Sequence, residues 1–328
     1  MHKNKTLILN GKTIKKLVGM KDAIEAVEKA FYALGEGKTK MPAKLYLNLP
    51  EYNGDFRAMP AYIEGFKGCS MKWVNVHPDN KKKGLPTVMA IIILSDPDNG
   101  FPLCIMDAGY ATALRTGAAG GIAAKYLARC DSQDIALVGC GAQAKTQLLA
   151  LDKFFNIKKV KVWGFKTSEA ETFIKKMDKN FKMAVCGTVK ECVYGCDIVV
   201  TTTPSREPIV KLEWLKEGVH INAIGADSKG KEELDPGILK KARIIVDCWE
   251  QASHSGEINV PLSSGIISKE NIFADIGEIV TGKKRSRTRD KEITVFDSTG
   301  LAIQDTAIAN VIYEKALREK KGRYIELI

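Results

Sequence analysis

The chain has 328 residues, 45% of them apolar and 27% charged, with a formal net charge of +11. This is a globular composition with room for one large or two medium domains. Its longest apolar stretch, Val88 to Leu94, is far short of the ~20 residues of a membrane helix. The opening MHKNKTLILNGK is too short in its apolar part for a secretory signal, so a cytoplasmic protein with no membrane partner is expected.

Eight cysteines are scattered without a C-x-x-C pair or an accompanying histidine cluster. That pattern points to reduced thiols and to no metal. Two basic runs, Lys81 to Lys83 and Lys283 to Arg289, carry much of the charge. Neither alternates with aromatic side chains as a base-stacking surface does, so no nucleic-acid partner is expected. Both read as solvated loops whose charge draws in anionic ligands.

In chain order, Met20 to Leu34 places Ala23, Ala26, Val27, Ala30, Phe31 and Leu34 at helical spacing. AKLYLNL and FRAMPAYI flank Tyr52-Asn53-Gly54-Asp55, an Asn-Gly hairpin signal. SMKWVNVH is a strand with Lys72, Val74 and Val76 on one face and Met71, Trp73 and Asn75 on the other. TVMAIIIL and FPLCIM flank the turn Asp96 to Gly100, and the whole reads as a largely antiparallel sheet. Residues 112–129 are expected to begin as a loop and continue as a small-residue helix. Strands and helices then alternate: DIALVG, AQAKTQLLALDKF, VKVWG, SEAETFIKKM, KMAVC, VKECVYG, DIVVTTT, VHINAIG, ARIIVD and ITVFD. Such alternation means βαβ units on a parallel sheet. A last helix, Leu301 to Lys320, is expected to return to the first domain.

The sharpest local motif is Gly139-x-Gly141-x-x-Ala144, which follows an apolar strand and opens a helix. Gly139 permits the tight turn, and Gly141 lets the backbone approach a pyrophosphate. Ala144 allows close helix–strand packing, and the helix N-terminus offers N–H groups to the anion. A nicotinamide dinucleotide is the expected cofactor. The acid that holds the adenosine ribose 2′-OH in NAD-preferring domains belongs at the end of the second strand. Gly164 stands there, followed by Lys166, Thr167 and Ser168, a cation and two hydroxyls suited to a 2′-phosphate. NADP(H) is therefore favoured over NAD(H).

MPAY (59–62), KWVNVHPDN (72–80), DAGYATALRTGAA (107–119), VGCGAQAKTQ (138–147), INAIGADSKGKEELDP (221–236) and FDSTGLAIQD (296–305) together resemble the ornithine cyclodeaminase/mu-crystallin family over nearly the whole length. The resemblance implies an α/β fold: a Rossmann-type doubly wound parallel sheet, residues 116–303, inserted into an α+β substrate-binding and dimerisation domain, residues 1–115 and 304–328. By resemblance, Lys72 is the active-site lysine and Arg115 holds the substrate carboxylate. Thr116 and Gly117 lie at the cofactor phosphates. Thr87 and Asp227 lie near the nicotinamide and the reacting carbon, and Ser298, Thr299 and Gly300 border the nicotinamide. Ala142, Gln143, Thr202, Thr203, Gly225 and Ala226 complete the expected cofactor set.

An α-amino acid needs a planar, bidentate cation for its carboxylate, which favours Arg115 or Arg57 over lysine. A lysine on a strand facing a closed site can have its proton affinity lowered by desolvation and neighbouring cations, and so serve as an acid or base near neutral pH. Lys72 and Asp227 are the expected catalytic groups. Where ornithine cyclodeaminases carry a glutamate for the substrate's distal amine, this chain has Arg57 at or next to the place. A cation there repels an ornithinium tail, and the archaeal-type alanine dehydrogenases of the family carry an arginine. The expected activity is reversible conversion of alanine to pyruvate and ammonia, in a homodimer. The alternatives are ornithine cyclodeamination, reduction of pyrroline- or piperideine-2-carboxylate, and non-catalytic ligand binding.

Overall fold

The computed structural model describes residues 4–177 and 181–328. Its strands are β1 (Thr6–Leu9), β2 (Thr39–Lys40), β3 (Leu45–Leu49), β4 (Gly54–Ile63), β5 (Cys69–Val76), β6 (Val88–Ser95), β7 (Pro102–Asp107), β8 (Asp134–Val138), β9 (Lys159–Trp163), β10 (Met183–Val185), β11 (Ile198–Thr201), β12 (Arg206–Val210), β13 (His220–Ala223), β14 (Glu232–Leu234), β15 (Arg243–Val246), β16 (Ile272–Asp275), β17 (Thr294–Asp297) and β18 (Arg323–Ile325). The chain forms two compact units, Met1–Arg115 with Leu301–Ile328, and Thr116–Gly300.

In the first unit the sheet order is β18-β1-β7-β6-β5-β4-β2, with β3 also paired to β4. β1 and β7 run parallel, while the successive pairs from β7 to β4 run antiparallel. Asn53 takes the left-handed conformation that closes the β3–β4 hairpin, a role asparagine fills at low cost. Alternation then sorts each strand: Met59, Ala61 and Ile63, with Val74, Ile92 and Leu94, are buried on one face. Helix Ala302–Arg318 packs there against β4, β5 and β6, and helix Met20–Gly35 packs against that helix through its apolar stripe. Burying each large side chain of such a stripe contributes about 1.5–3 kcal/mol. The opposite face carries cross-strand rows Leu45–Ala58–Trp73–Ile91 and Leu47–Phe56–Asn75–Met89. Leu45, Leu47, Met89 and Ile91 of these rows are exposed.

In the second unit the order is β10-β9-β8-β11-β13-β17-β15-β16, with every pair parallel. The order reverses between β8 and β11, the kind of switch point at which open α/β sheets bind ligands. This is the Rossmann-type doubly wound α/β sheet, with the α+β first unit beside it in the sequence.

Several local readings differ from the structure. The segment 112–129 does not open as a loop, because one helix runs over Gly109–Leu127. Its glycines are weak helix formers, but a Cβ at Gly117 or Gly121 would lie within 3 Å of Thr146 or Ala150 on helix Ala142–Leu151. Close packing overrides propensity there. β1, helix Gly11–Leu17, β12, β14 and β16 have no counterpart in the pattern reading, since runs of three to seven residues are too short to show a period. Within the second basic run, Arg287 is not a solvated charge. Its guanidinium donates to the carbonyls of Leu127 and Glu292 and to Thr294 Oγ1, stapling the loop to β17. Among the described residues no helix is long and apolar enough to cross a membrane.

Candidate active site

The second unit places its expected cofactor residues just beyond the C-terminal ends of parallel strands. Gly139 follows β8 with φ of 107°, and a Cβ there would meet Thr202 Oγ1 at 2.6 Å. That backbone conformation belongs to glycine. Gly141 is the N-cap of helix Ala142–Leu151. A Cβ on Gly141 would meet nothing within 4 Å among the described residues, so the helix start lies open. Ala142 is exposed, Gln143 half-buried and Ala144 wholly buried against the sheet. Thr202 follows β11 and Ser298 follows β17. Both hydroxyls are buried with no partner among the described residues, and buried polar groups in that condition normally have a hydrogen bond to make. An open anion-ready helix start with two unpartnered hydroxyls fits a dinucleotide. Ala142, Gln143, Thr202 and Ser298 would hold it, and the group supplies a hydride donor or acceptor.

Other members of the expected set bond to protein. Thr203 donates its N–H and hydroxyl to Glu233 Oε1, and Gly225 donates its N–H to Glu233 Oε2. Thr299 Oγ1 and the Gly300 N–H donate to the buried Asp247 carboxylate. These residues shape the turns, and Ala226 is wholly buried beside them. Gly117 lets two helices approach, and Thr116 accepts a bond from Gln147 at its carbonyl. Lys166, Thr167 and Ser168 are exposed at the start of helix Thr167–Lys176, where Glu169 accepts from the Lys166 N–H. Asp227 is ion-paired to Lys231 at 2.6 Å.

In the first unit, Lys72 on β5 is 1% exposed, and its Nζ lies 2.7 Å from Asp305 Oδ2. Arg115, also buried, donates from Nε to Asp305 Oδ1 at 3.0 Å and from Nη1 to Gln304 Oε1 at 2.7 Å. One carboxylate thus serves two buried cations. Burial, then the Arg115 charge, pushes the Lys72 ammonium down to about 7. Asp305 opposes that shift and Lys44 adds to it. Arg57 differs, because Asp55 of its own strand takes both its Nε and Nη2, and its guanidinium also lies over the Tyr46 ring. Its charge is compensated locally, whereas Lys72 and Arg115 remain in cationic excess. Thr87 carries a buried hydroxyl with no partner among the described residues.

Pattern reading missed Asp305, Lys44, Asp247 and Glu233. Asp305 lies inside the quoted FDSTGLAIQD segment, where an acid in a helix's first turn has a sufficient local explanation in the helix dipole. The available signal was Lys72 itself, since a lysine on the buried face of a strand requires a counter-ion.

Fold and loop geometry define a dinucleotide-binding α/β protein. The chain belongs to the ornithine cyclodeaminase/mu-crystallin family, whose model matches residues 4–320. It is 53% identical over 321 residues to the alanine dehydrogenase of Archaeoglobus fulgidus, with 98% of each chain covered. A solved archaeal alanine dehydrogenase dimer with bound NAD superposes with a TM-score of 0.95 at 52% identity, covering 99% of this chain and 100% of that one. The Thermococcus litoralis Delta(1)-pyrroline-2-carboxylate reductase, solved with NADH and L-proline, also gives 0.95, at 39% identity, with 98% and 100% covered.

Proposed function

We propose that this protein is an NAD(P)-dependent oxidoreductase that interconverts alanine with pyruvate and ammonia. The observation that carries the reading is the buried pair Lys72 and Arg115 sharing the single Asp305 carboxylate. An uncompensated buried cation attracts an anionic ligand strongly, and Arg115, always charged and planar, suits a carboxylate. Lys72, held near neutral, can exchange a proton at the substrate nitrogen or with the water that attacks the imine. Arg57, paired with Asp55 and lying over the Tyr46 ring, is secondary to Arg115 as a carboxylate anchor. Asp227 takes part in proton exchange if its pair with Lys231 opens. The Archaeoglobus fulgidus relative's name supports this substrate.

The test is a cofactor-absorbance screen. Alanine, proline, ornithine and lysine are offered with oxidised cofactor; pyruvate plus ammonia and cyclic imines with reduced cofactor. Net turnover with alanine supports the assignment. Turnover only with cyclic imines reassigns the chain as an imine reductase, ammonia release from ornithine without net cofactor change makes it a cyclodeaminase, and saturable binding without turnover makes it a binding protein.

NADP(H) is the favoured cofactor on the side chains after β9: a buried Gly164 in the acid's place and Lys166 beside it. The assembly is a homodimer, formed across the apolar sheet face of Leu45, Leu47, Trp73, Met89 and Ile91. An exposed apolar patch of that kind marks an interface. Light scattering that gives a mass near the monomer's 36.0 kDa at micromolar concentration would overturn it. Eight free cysteines suit a reducing cytoplasm.

A further inference from the structure

The second unit buries Glu233, Glu257 and Asp297 completely, and none of them enters the chemistry proposed above. Their hydrogen bonds are unequal. Glu233 accepts on both oxygens: Oε1 from the Thr203 N–H at 2.6 Å and the Thr203 hydroxyl at 2.7 Å, Oε2 from the Gly225 N–H at 3.0 Å. Glu257 accepts only on Oε1, from the N–H groups of Glu233 and Leu234 at 2.8 and 2.7 Å. Its Oε2 is buried and has no partner among the described residues. Asp297 closes the series, its Oδ2 accepting from the Ile258 N–H at 3.1 Å.

Donors on both oxygens favour a carboxylate anion, while a bare oxygen near other buried acids favours the protonated acid. Burial raises the proton affinity of both glutamates, but the Thr203 and Gly225 donors oppose the rise at Glu233. At Glu257 burial is joined by repulsion from Glu233 and Asp297, and its proton affinity is lifted well above that of an ordinary carboxyl. Three buried acids so close together do not all ionise.

We infer that Glu233 is an ionised positioning residue of the dinucleotide site, tying the turn after β11 to the turn after β13, and that Glu257 is its protonated support. This rests on the reading of Thr202, Thr203, Gly225 and Ala226 as cofactor loops. The two turns are in close contact, since a Cβ on Gly225 would lie 2.2 Å from the Thr203 carbonyl oxygen. Thr203 fixes the backbone that presents the unpartnered Thr202 hydroxyl, and Gly225 fixes the start of Ala226 and Asp227. Loosening them lowers the fraction of the protein competent to bind cofactor, and affinity falls in proportion.

The two glutamates therefore tolerate amides differently. Glutamine at 233 turns an NH2 group toward one of two N–H donors and leaves a buried donor unsatisfied. Glutamine at 257 keeps an oxygen toward Glu233 and Leu234 and places its NH2 where the protonated acid already holds an unpartnered O–H, so the change there is only one further N–H. Glu233→Gln and Glu257→Gln, made in the full chain, are compared by NADH and NADPH binding, thermal unfolding and infrared spectroscopy. Glu233→Gln is expected to weaken cofactor binding by about tenfold, the cost of an unsatisfied buried donor. Glu257→Gln should fold normally, bind cofactor within about twofold of wild type, and lack one protonated-carboxyl C=O band that the wild type and Glu233→Gln show. Equal behaviour of the two variants, or survival of that band in Glu257→Gln, overturns the assignment. If Glu233→Gln does not fold, Glu257→Gln decides alone, since an ionised Glu257 predicts damage there. A wild type that binds neither NADH nor NADPH refutes the cofactor reading instead, and the infrared band still tests the protonation of Glu257.

Discussion

The two units build their candidate sites by different physical means. In the second, the candidate site starts from the backbone, a positive φ at Gly139 and an open helix start at Gly141, and adds the unpartnered hydroxyls of Thr202 and Ser298. In the first it is a side-chain charge matter, with Lys72, Arg115 and Asp305 brought together from a strand and two helices. Backbone recognition is local in sequence, because one turn and one helix start suffice. The charge cluster is long-range, with Arg115 lying 190 residues from Asp305 in the sequence and Lys72 farther still. The contrast predicts that changes in the first unit damage turnover and its pH dependence, and that changes in the second damage cofactor affinity.

The sharpest break would come from Lys72→Met. Loss of an acid–base group reduces kcat by about a hundred- to ten-thousandfold, while the NADH dissociation constant should stay at its wild-type value. A rate close to wild type removes Lys72 from the chemistry. An equal loss of cofactor affinity removes the division between the units.

Asp305→Asn comes next. It leaves two buried cations without their carboxylate, a change that costs about 3–5 kcal/mol of stability when a buried pair is broken. Its diagnostic effect is on pH. With Lys72 held at about 7, alanine oxidation that needs the neutral amine rises as pH increases through that value. Asp305 raises the lysine's proton affinity, so removing it moves the rising limb to lower pH. A kcat/KM profile whose limb stays in place shows that Lys72 does not set it.

The same contrast decides how much could be seen in the sequence. The second unit's site was legible because Gly139, Gly141 and Ala144 lie in one run between a strand and a helix, each with a local physical reason. Lys72, Arg57 and Arg115 were named through resemblance, and spacing alone gave no means of seeing that two of them share the one Asp305 carboxylate while Asp55 compensates the third. The helix Gly109–Leu127 escaped for a related reason: its small residues look like a loop until helix Ala142–Leu151 is packed against them.

A paired glycine test probes the backbone side. Gly139→Ala places a side chain at positive φ and against Thr202, which costs on the order of 1–3 kcal/mol of stability. Gly141→Ala adds a Cβ that meets nothing within 4 Å among the described residues, so the melting temperature should hold while cofactor binding weakens by about tenfold, or ~1.4 kcal/mol. Parallel losses of stability in both variants would mean that Gly141 is a folding residue rather than a pyrophosphate contact.

The smallest effect expected is the most specific. Lys166 is exposed just ahead of helix Thr167–Lys176, and Thr167 and Ser168 supply hydroxyls at the same helix start. Glu169, the next acid along the chain, accepts a bond from the Lys166 N–H and is thereby occupied as a helix cap. No carboxylate stands at the end of β9 to accept from a ribose 2′-OH, and a helix start with a neighbouring cation favours a 2′-phosphate. An exposed ion pair contributes only ~0.2–1 kcal/mol. Lys166→Ala should therefore weaken NADPH by roughly two- to fivefold, more at low salt than at high salt, and leave NADH unchanged. Relatives of known structure hold NAD or NADH, so the wild-type ratio matters as much as the variant. Tighter binding of NADH than of NADPH, or equal loss of both in Lys166→Ala, would show that this helix start does not read the 2′ position.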